Sequence, residues 1–260
     1  MVSKSVLKDR SVDIPQGVLW DVTTHMSYLY QQEEGKVVVL GGRAVNLYCS
    51  ISARPTHDVD LLVPRKLTKS DLAKLPNKET SPTDYFELSG DMLDGPRSKL
   101  IYRSSQVEKP IEIDLYYQHY STRSGLANHS ISIGDRIRVP IAAIASETET
   151  INFGDMDFTV PKLHVLLIMK YNALLGRGKE EDREDMKSII RNHGNDTKRF
   201  LNLMFETSGF MERYIPDKKI EVMNGIYLEM QNWEKKDISP EVKALANKLI
   251  DRKRLLRTGN

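Results

Sequence analysis

Apolar positions recur along the first part of the chain at two different spacings. Between residues 16 and 34, Val18, Val22, Met26 and Leu29 stand four, four and three apart, which is one face of an amphipathic helix. Lys36 to Leu40, with three consecutive valines, reads as a short buried strand that stops at Gly41-Gly42. The pattern then predicts a helix from Arg43 to Ser52, a turn at Arg54-Pro55-Thr56, and a second strand from His57 to Val63 closed by Pro64. Thr68 and Asp71 have the spacing of a helix cap and predict a short helix ending near Leu75. Residues 76 to 97 are rich in Pro, Gly, Asp and Ser, with one strand predicted at Tyr85–Leu88. Lys99–Arg103 and Ile111–Tyr116 form a predicted hairpin, and short extended segments follow over 131 to 160, among them Arg136–Val139 and Asp157–Val160.

At Pro161 the texture changes. Leu163, Leu166, Leu167, Lys170, Ala173 and Leu174 fall at helical intervals, and almost everything afterwards is helix-like. The order predicts an α/β (α+β) chain: a mixed α/β domain over 1–160 with an N-terminal helix, then a mostly helical domain over 161–260. No internal repeat and no low-complexity tract interrupts it.

Composition narrows the function classes. Of the 260 residues 40% are apolar and 28% charged, enough for a real core in a water-soluble chain. A formal charge of +2 gives no support to a protein that coats nucleic acid non-specifically. The single Cys49 excludes an internal disulfide and a cysteine-rich zinc cluster; lying in an apolar run, it reads as a buried, inert thiol. No stretch approaches the roughly 18 apolar residues of a membrane span, and the N-terminus lacks the apolar core of a signal peptide. The expected setting is the cytoplasm, with no membrane partner.

The chemistry concentrates in Leu40-Gly41-Gly42 and, fifteen residues further on, Asp58-Val59-Asp60-Leu61. On a strand, Asp58 and Asp60 project to the same side while Val59 and Leu61 face the core. Two carboxylates this close repel unless a cation lies between them. Mg²⁺ suits them, since it takes hard oxygen ligands and shares them with substrate phosphates. A third carboxylate, Asp114, lies in the apolar strand Ile113-Asp114-Leu115. If the two strands are neighbours, the three acids meet at one edge and can hold two metal ions. The glycines bring backbone N–H groups close to an anion with no Cβ in the way. Alone, a Gly-Gly is commonly a turn and an Asp-x-Asp a solvated strand end. Their order along the chain is what points to a phosphate and metal site.

The pattern resembles the nucleotidyltransferase superfamily related to DNA polymerase β. Val39-Leu-Gly-Gly-Arg-Ala-Val-Asn-Leu47 followed by Arg54-Pro-Thr-His-Asp-Val-Asp-Leu-Leu62 looks in particular like the AbiEii/AbiGii toxin branch, which includes the MenT toxins. The fifteen-residue spacer is slightly longer than is usual there. The segment from Val160 to Asp185 is similar to the branch's second stretch, a helix with Lys170, Ala173 and Arg177 on one face followed by Asp182-x-x-Asp185. Lys170 also interrupts an apolar run, so it needs a partner or an anion.

The resemblance covers roughly residues 36 to 190. It implies a nucleotidyltransferase-type mixed sheet with flanking helices, Mg²⁺ as cofactor, and Asp58, Asp60 and Asp114 as catalytic metal ligands. It implies nucleotide contacts from Gly41, Gly42, Arg54, Thr56, Lys170, Arg177, Asp182 and Asp185. An NMP would pass from an NTP to an acceptor hydroxyl, such as a tRNA 3′ end or other RNA, in a toxin of a toxin–antitoxin pair with an antitoxin partner. Two readings stand beside it: transfer to a protein or an aminoglycoside-like small molecule, and a non-catalytic nucleotide- or RNA-binding module. A Glu-x-Lys nuclease is the weaker reading, because no lysine follows Glu112 or Asp114 at the second position. His57, His119, His164 and His193 are scattered and read as structural. The last twenty residues carry a balance of +4 on an amphipathic helix, either solvated or an RNA-contacting arm.

Overall fold

The computed structural model describes residues 16–31, 35–49, 56, 58–88, 97–119, 136–153 and 155–258. Helix α1 (Gln16–Leu29) buries Val18, Val22, Met26 and Leu29 along the face their spacing predicts. The valine run forms only a two-residue strand, β1 (Val38–Val39), because its antiparallel partner offers just Leu62 and Leu61. Leu40 extends the pairing by one bond, donating its amide to the Asp60 carbonyl at 2.8 Å.

Helix α2 (Gly41–Cys49) starts two residues earlier than predicted and draws the glycine pair into its first turn. Strand β2 (Asp58–Arg65) runs through Pro64 instead of stopping at it. Proline is tolerated there because β1 pairs only as far as Leu62, which leaves that flank of β2 without a ladder to interrupt. Thr68 and Asp71 make the reciprocal cap of α3 (Lys69–Leu72). β3 (Tyr85–Leu88) lies where the sequence places it, and β4 (Arg97–Arg103) with β5 (Ile111–His119) make the predicted antiparallel pair.

The five-stranded sheet has the order β1-β2-β5-β4-β3, and β2 pairs with β5 in parallel while its other pairs are antiparallel. Residues 131 to 160 depart from the extended reading. Ile141–Ser146 forms helix α4, since its alanine-rich sequence favours a helix once its isoleucines have a core to enter. Arg136–Val139 carries no strand, whereas Asp157–Val160 lies within β7 (Met156–Pro161), which pairs with β6 (Thr148–Phe153). Trp20 of α1 meets Phe158 of β7 edge-on, with ring centroids 5.5 Å apart.

These elements form one compact unit. A second unit takes the chain from Lys162 onward and also Tyr48, Cys49 and residues 136–140. It consists of α5 (Leu163–Arg177), α6 (Glu180–His193), α7 (Thr197–Tyr214), a short 3-10 turn at Pro216–Lys218, α8 (Lys219–Gln231) and α9 (Pro240–Thr258). The fully buried Asn172 fastens the 136–140 segment, accepting from the Ile137 amide at 3.2 Å and donating to its carbonyl at 2.6 Å. Cys49 is buried; its burial, reinforced by the Asp185 charge, pushes the thiol up to about 12. Among the described residues no helix is long and apolar enough to cross a membrane.

Candidate active site

The first unit presents acidic side chains along one face of two parallel strands. Cα registry sets Asp60 of β2 directly beside Asp114 of β5, and Asp58 beside Glu112. Alternation along each strand sends all four to the same side, while Val59, Leu61, Ile113 and Leu115 are fully buried on the other. Asp58 is exposed, and Asp60 and Asp114 are half-buried, so the acid row opens at the start of β2. The condition that the two strands be neighbours is met.

The glycine pair meets this row directly. Gly41 has φ +64°, a conformation in which a side chain is strained. A Cβ built there would lie 2.1 Å from Asp60 Oδ2. The Asp60 carboxylate therefore sits against the start of α2. The first amides of a helix have no acceptor within it and carry its positive pole, which favours negative charge at that point. Gly42 is buried behind it.

Thr56 is 1% exposed, and among the described residues its Oγ1 is buried without a hydrogen-bond partner. Arg54 lies outside the described residues.

Several neighbours escaped the sequence reading. Lys99 of β4 is the registry partner of Asp114, and its Nζ reaches Glu112 Oε2 at 2.5 Å. The Tyr116 hydroxyl stands 3.5 Å from Asp60 Oδ1. Glu112 and Tyr116 were within reach of period-2 counting from Asp114. Lys99 required the hairpin registry, which depends on the turn at 104–110. Arg43, 2% exposed, directs its Nη2 to the Thr56 carbonyl at 2.8 Å; a charged residue after two glycines gives no hint of such burial.

Magnesium commonly uses one or two carboxylates and leaves its other positions to water and substrate phosphate. Asp60 abreast of Asp114, with Asp58 on the same face, fits that donor requirement. Among the described residues no three His, Cys, Asp or Glu side chains already converge into a metal-holding group.

The remaining predicted residues lie in the second unit and form an ion network there. Lys170 Nζ is 2.6 Å from Asp185 Oδ2 and 3.7 Å from Asp182 Oδ1. Arg177 Nη2 donates to both oxygens of Asp182 at 2.8 and 2.9 Å. Lys170, Asp182 and Asp185 are buried, whereas the Arg177 side chain is 55% exposed. The left-handed Gly178, φ +63°, ends α5 and turns the chain so that the start of α6 faces these cations.

No protein-family model and no curated protein matches the sequence. Among solved structures the chain is similar to JHP933 from Helicobacter pylori, at 12% identity over 95% of this chain and 98% of that one, with a TM-score of 0.44. It is similar to the lincosamide antibiotic adenylyltransferase LnuA in its lincomycin-bound form, at 15% identity over 68% and 98% of the two chains, TM-score 0.41. It is also similar to MenT4, a nucleotidyltransferase toxin from Mycobacterium tuberculosis H37Rv, at 16% identity over 75% and 66%, TM-score 0.35. Identities this low leave the function to be argued from the chain's own side chains.

Proposed function

We propose that the chain is a cytoplasmic, Mg²⁺-dependent nucleotidyltransferase that moves an NMP from an NTP to an acceptor hydroxyl, which attacks the α-phosphorus as the bond to the β-phosphate breaks and pyrophosphate leaves. The observation that carries this reading is the registry of Asp60 with Asp114, with Gly41 pressed against the Asp60 carboxylate. Asp58, Asp60 and Asp114 would hold the metal, two ions in the full reading. When bound, it neutralises phosphate charge and lowers the barrier to attack at phosphorus. The chain's own share is positional. The amides at the start of α2, where Gly41 and Gly42 carry no Cβ, would orient a phosphate oxygen beside the Asp60 carboxylate. Asp114 accepts the proton of the acceptor hydroxyl. On the second unit, the Arg177 guanidinium keeps much of its surface in solvent, whereas Lys170 is held by Asp185.

The acceptor is sought among RNA, protein and aminoglycoside- or lincosamide-like hydroxyls, with a tRNA 3′ end and a toxin role as the leading case. Wild-type chain and D60N are incubated with each labelled NTP, Mg²⁺ and each acceptor class. Label transferred by wild type and lost in D60N supports the reading. Equal labelling by the two proteins overturns it.

A further inference from the structure

A guanidinium taken out of water costs free energy unless hydrogen bonds replace its hydration. Arg43 is nonetheless among the bulkiest fully buried side chains of the described residues. It leaves the first turn of α2 one residue after Gly42 and donates from Nη2 to the carbonyl of Thr56 at 2.8 Å. Thr56 is itself buried and stands two residues before Asp58, where β2 begins. The same stretch of chain is fastened to β2 at two more points. Gly41 lies against the Asp60 carboxylate, and the Leu40 amide binds the Asp60 carbonyl at 2.8 Å.

We propose that Arg43 is a positioning residue: its bond to the Thr56 carbonyl fixes the start of β2 and thereby the placement of Asp58 in line with Asp60, which lies against the N-terminus of α2. The inference rests on the nucleotidyl-transfer reading for its consequence, but not for its geometry. Without this bond the Leu40–Asp60 contacts still hold the middle of the acid row, while the end bearing Asp58 loses a fastening. Arginine suits the task because its planar fork holds several donors in a fixed plane; a lysine offers a point charge on a flexible stem. The role is indirect, since Arg43 has no exposed surface with which to touch a substrate.

The test uses full-length R43A and R43K beside wild type, with three readouts: backbone hydrogen exchange, Mn²⁺ affinity without nucleotide, and kcat with KM for the NTP. The expected result is faster exchange confined to the start of β2 around Asp58, weaker Mn²⁺ binding, and a fall in kcat at nearly constant KM. A displacement of about 1 Å costs on the order of 100-fold in rate. Added guanidinium ion should restore part of the Mn²⁺ affinity and kcat of R43A, and R43K should fall between R43A and wild type. Wild-type exchange around Asp58 in either variant overturns the proposal. So does a loss spread over every strand of the sheet that guanidinium does not mend, which marks a purely structural role. If R43A does not fold, R43K decides by the same exchange readout. Absence of any transfer by wild type sinks the nucleotidyl-transfer reading alone, because exchange and Mn²⁺ binding still judge Arg43.

Discussion

Two sets of closely spaced aspartates occupy the two units, and they are in opposite condition. Asp182 and Asp185 are each 1% exposed, three apart on a helix, and matched by Lys170 and Arg177. Asp58 and Asp60 are two apart on a strand beside Asp114, on a face that opens to solvent. In the second unit the chain supplies its own counter-charge, so burial is tolerable and the pairs hold α6 to α5. On the acid row Lys99, the registry partner of Asp114, reaches Glu112, and Asp60 lies against the start of α2 on a face open to solvent, where carboxylates this close together favour a cation. Spacing alone does not tell the two sets apart: one is buried among its own cations, and the other lies on a face open to solvent, as the proposed transfer requires.

The largest expected effect breaks the second unit. D185N leaves Lys170 buried without its 2.6 Å partner. Removing one member of a buried pair costs about 3–5 kcal/mol, which lowers Tm by on the order of 10 °C in a chain of this size. Asp182 at 3.7 Å keeps the loss toward the lower end. Replacing both partners, as in K170M/D185L, should recover most of it, because no lone charge remains. Thermal melts of the two variants beside wild type check both statements.

On the acid row the same kind of change should act on rate and leave stability alone. D60N relieves repulsion along the acid row but gives up a charge favoured at the start of α2, so its melting temperature should stay close to that of wild type. Transfer should fall by about 10²–10³, the usual cost of one group that stabilises transition-state charge. Melting and labelled transfer measured on the same sample decide it. A D60N that melts early and still transfers would invert the comparison.

This contrast was only half legible in the sequence. Period-2 alternation placed Asp58 and Asp60 on one side, because side-chain direction on a strand follows from counting alone; that the strand of Asp114 lies beside theirs is a long-range pairing the fold supplies. The cap at Thr68 and Asp71 and the strand Tyr85–Leu88 were readable for the same reason: their signals are local. What was hidden depends on distant partners. The pairing of Lys99 with Glu112 needs the registry across a turn, and α4 needs a core for Ile141 and Ile144 to enter. Lys170 was recognisable as a cation in need of a partner, but only the fold shows that Asp185 fills the place.

Two glycines at nearly the same backbone angle sharpen the comparison further. Gly41 has φ +64° and Gly178 φ +63°, so alanine at either carries the left-handed strain of about 1–2 kcal/mol. An added methyl at Gly178 meets nothing within 4 Å, whereas at Gly41 it runs into Asp60. G178A should therefore lower stability by the strain alone and leave kcat intact. G41A should lower stability by more and reduce transfer as severely as D60N. Equal kinetics for the two variants would mean that the Gly41–Asp60 approach is unimportant to the site.

The smallest effect asks whether pairing, and not the choice of unit, makes the difference. Asp71 belongs to the first unit yet is 2% exposed and held by Arg65 at 2.7 Å and by the Thr68 amide and hydroxyl at 2.8 Å. Burial by itself raises its carboxyl, but the bonds from Arg65 and Thr68 and the Arg65 charge outweigh that and carry it down to about 2. A depressed carboxyl stabilises the fold above its unfolded value of 3.8, and that contribution is lost as pH falls through about 2. D71N should flatten this part of the acid-denaturation curve, while T68A should cost about 1 kcal/mol at neutral pH through loss of the cap. Neither should alter transfer once the protein is folded. If D71N left the acid limb unchanged, ion pairing inside the first unit would carry no stability, and the division between structural and chemical carboxylates would follow the units instead of their partners.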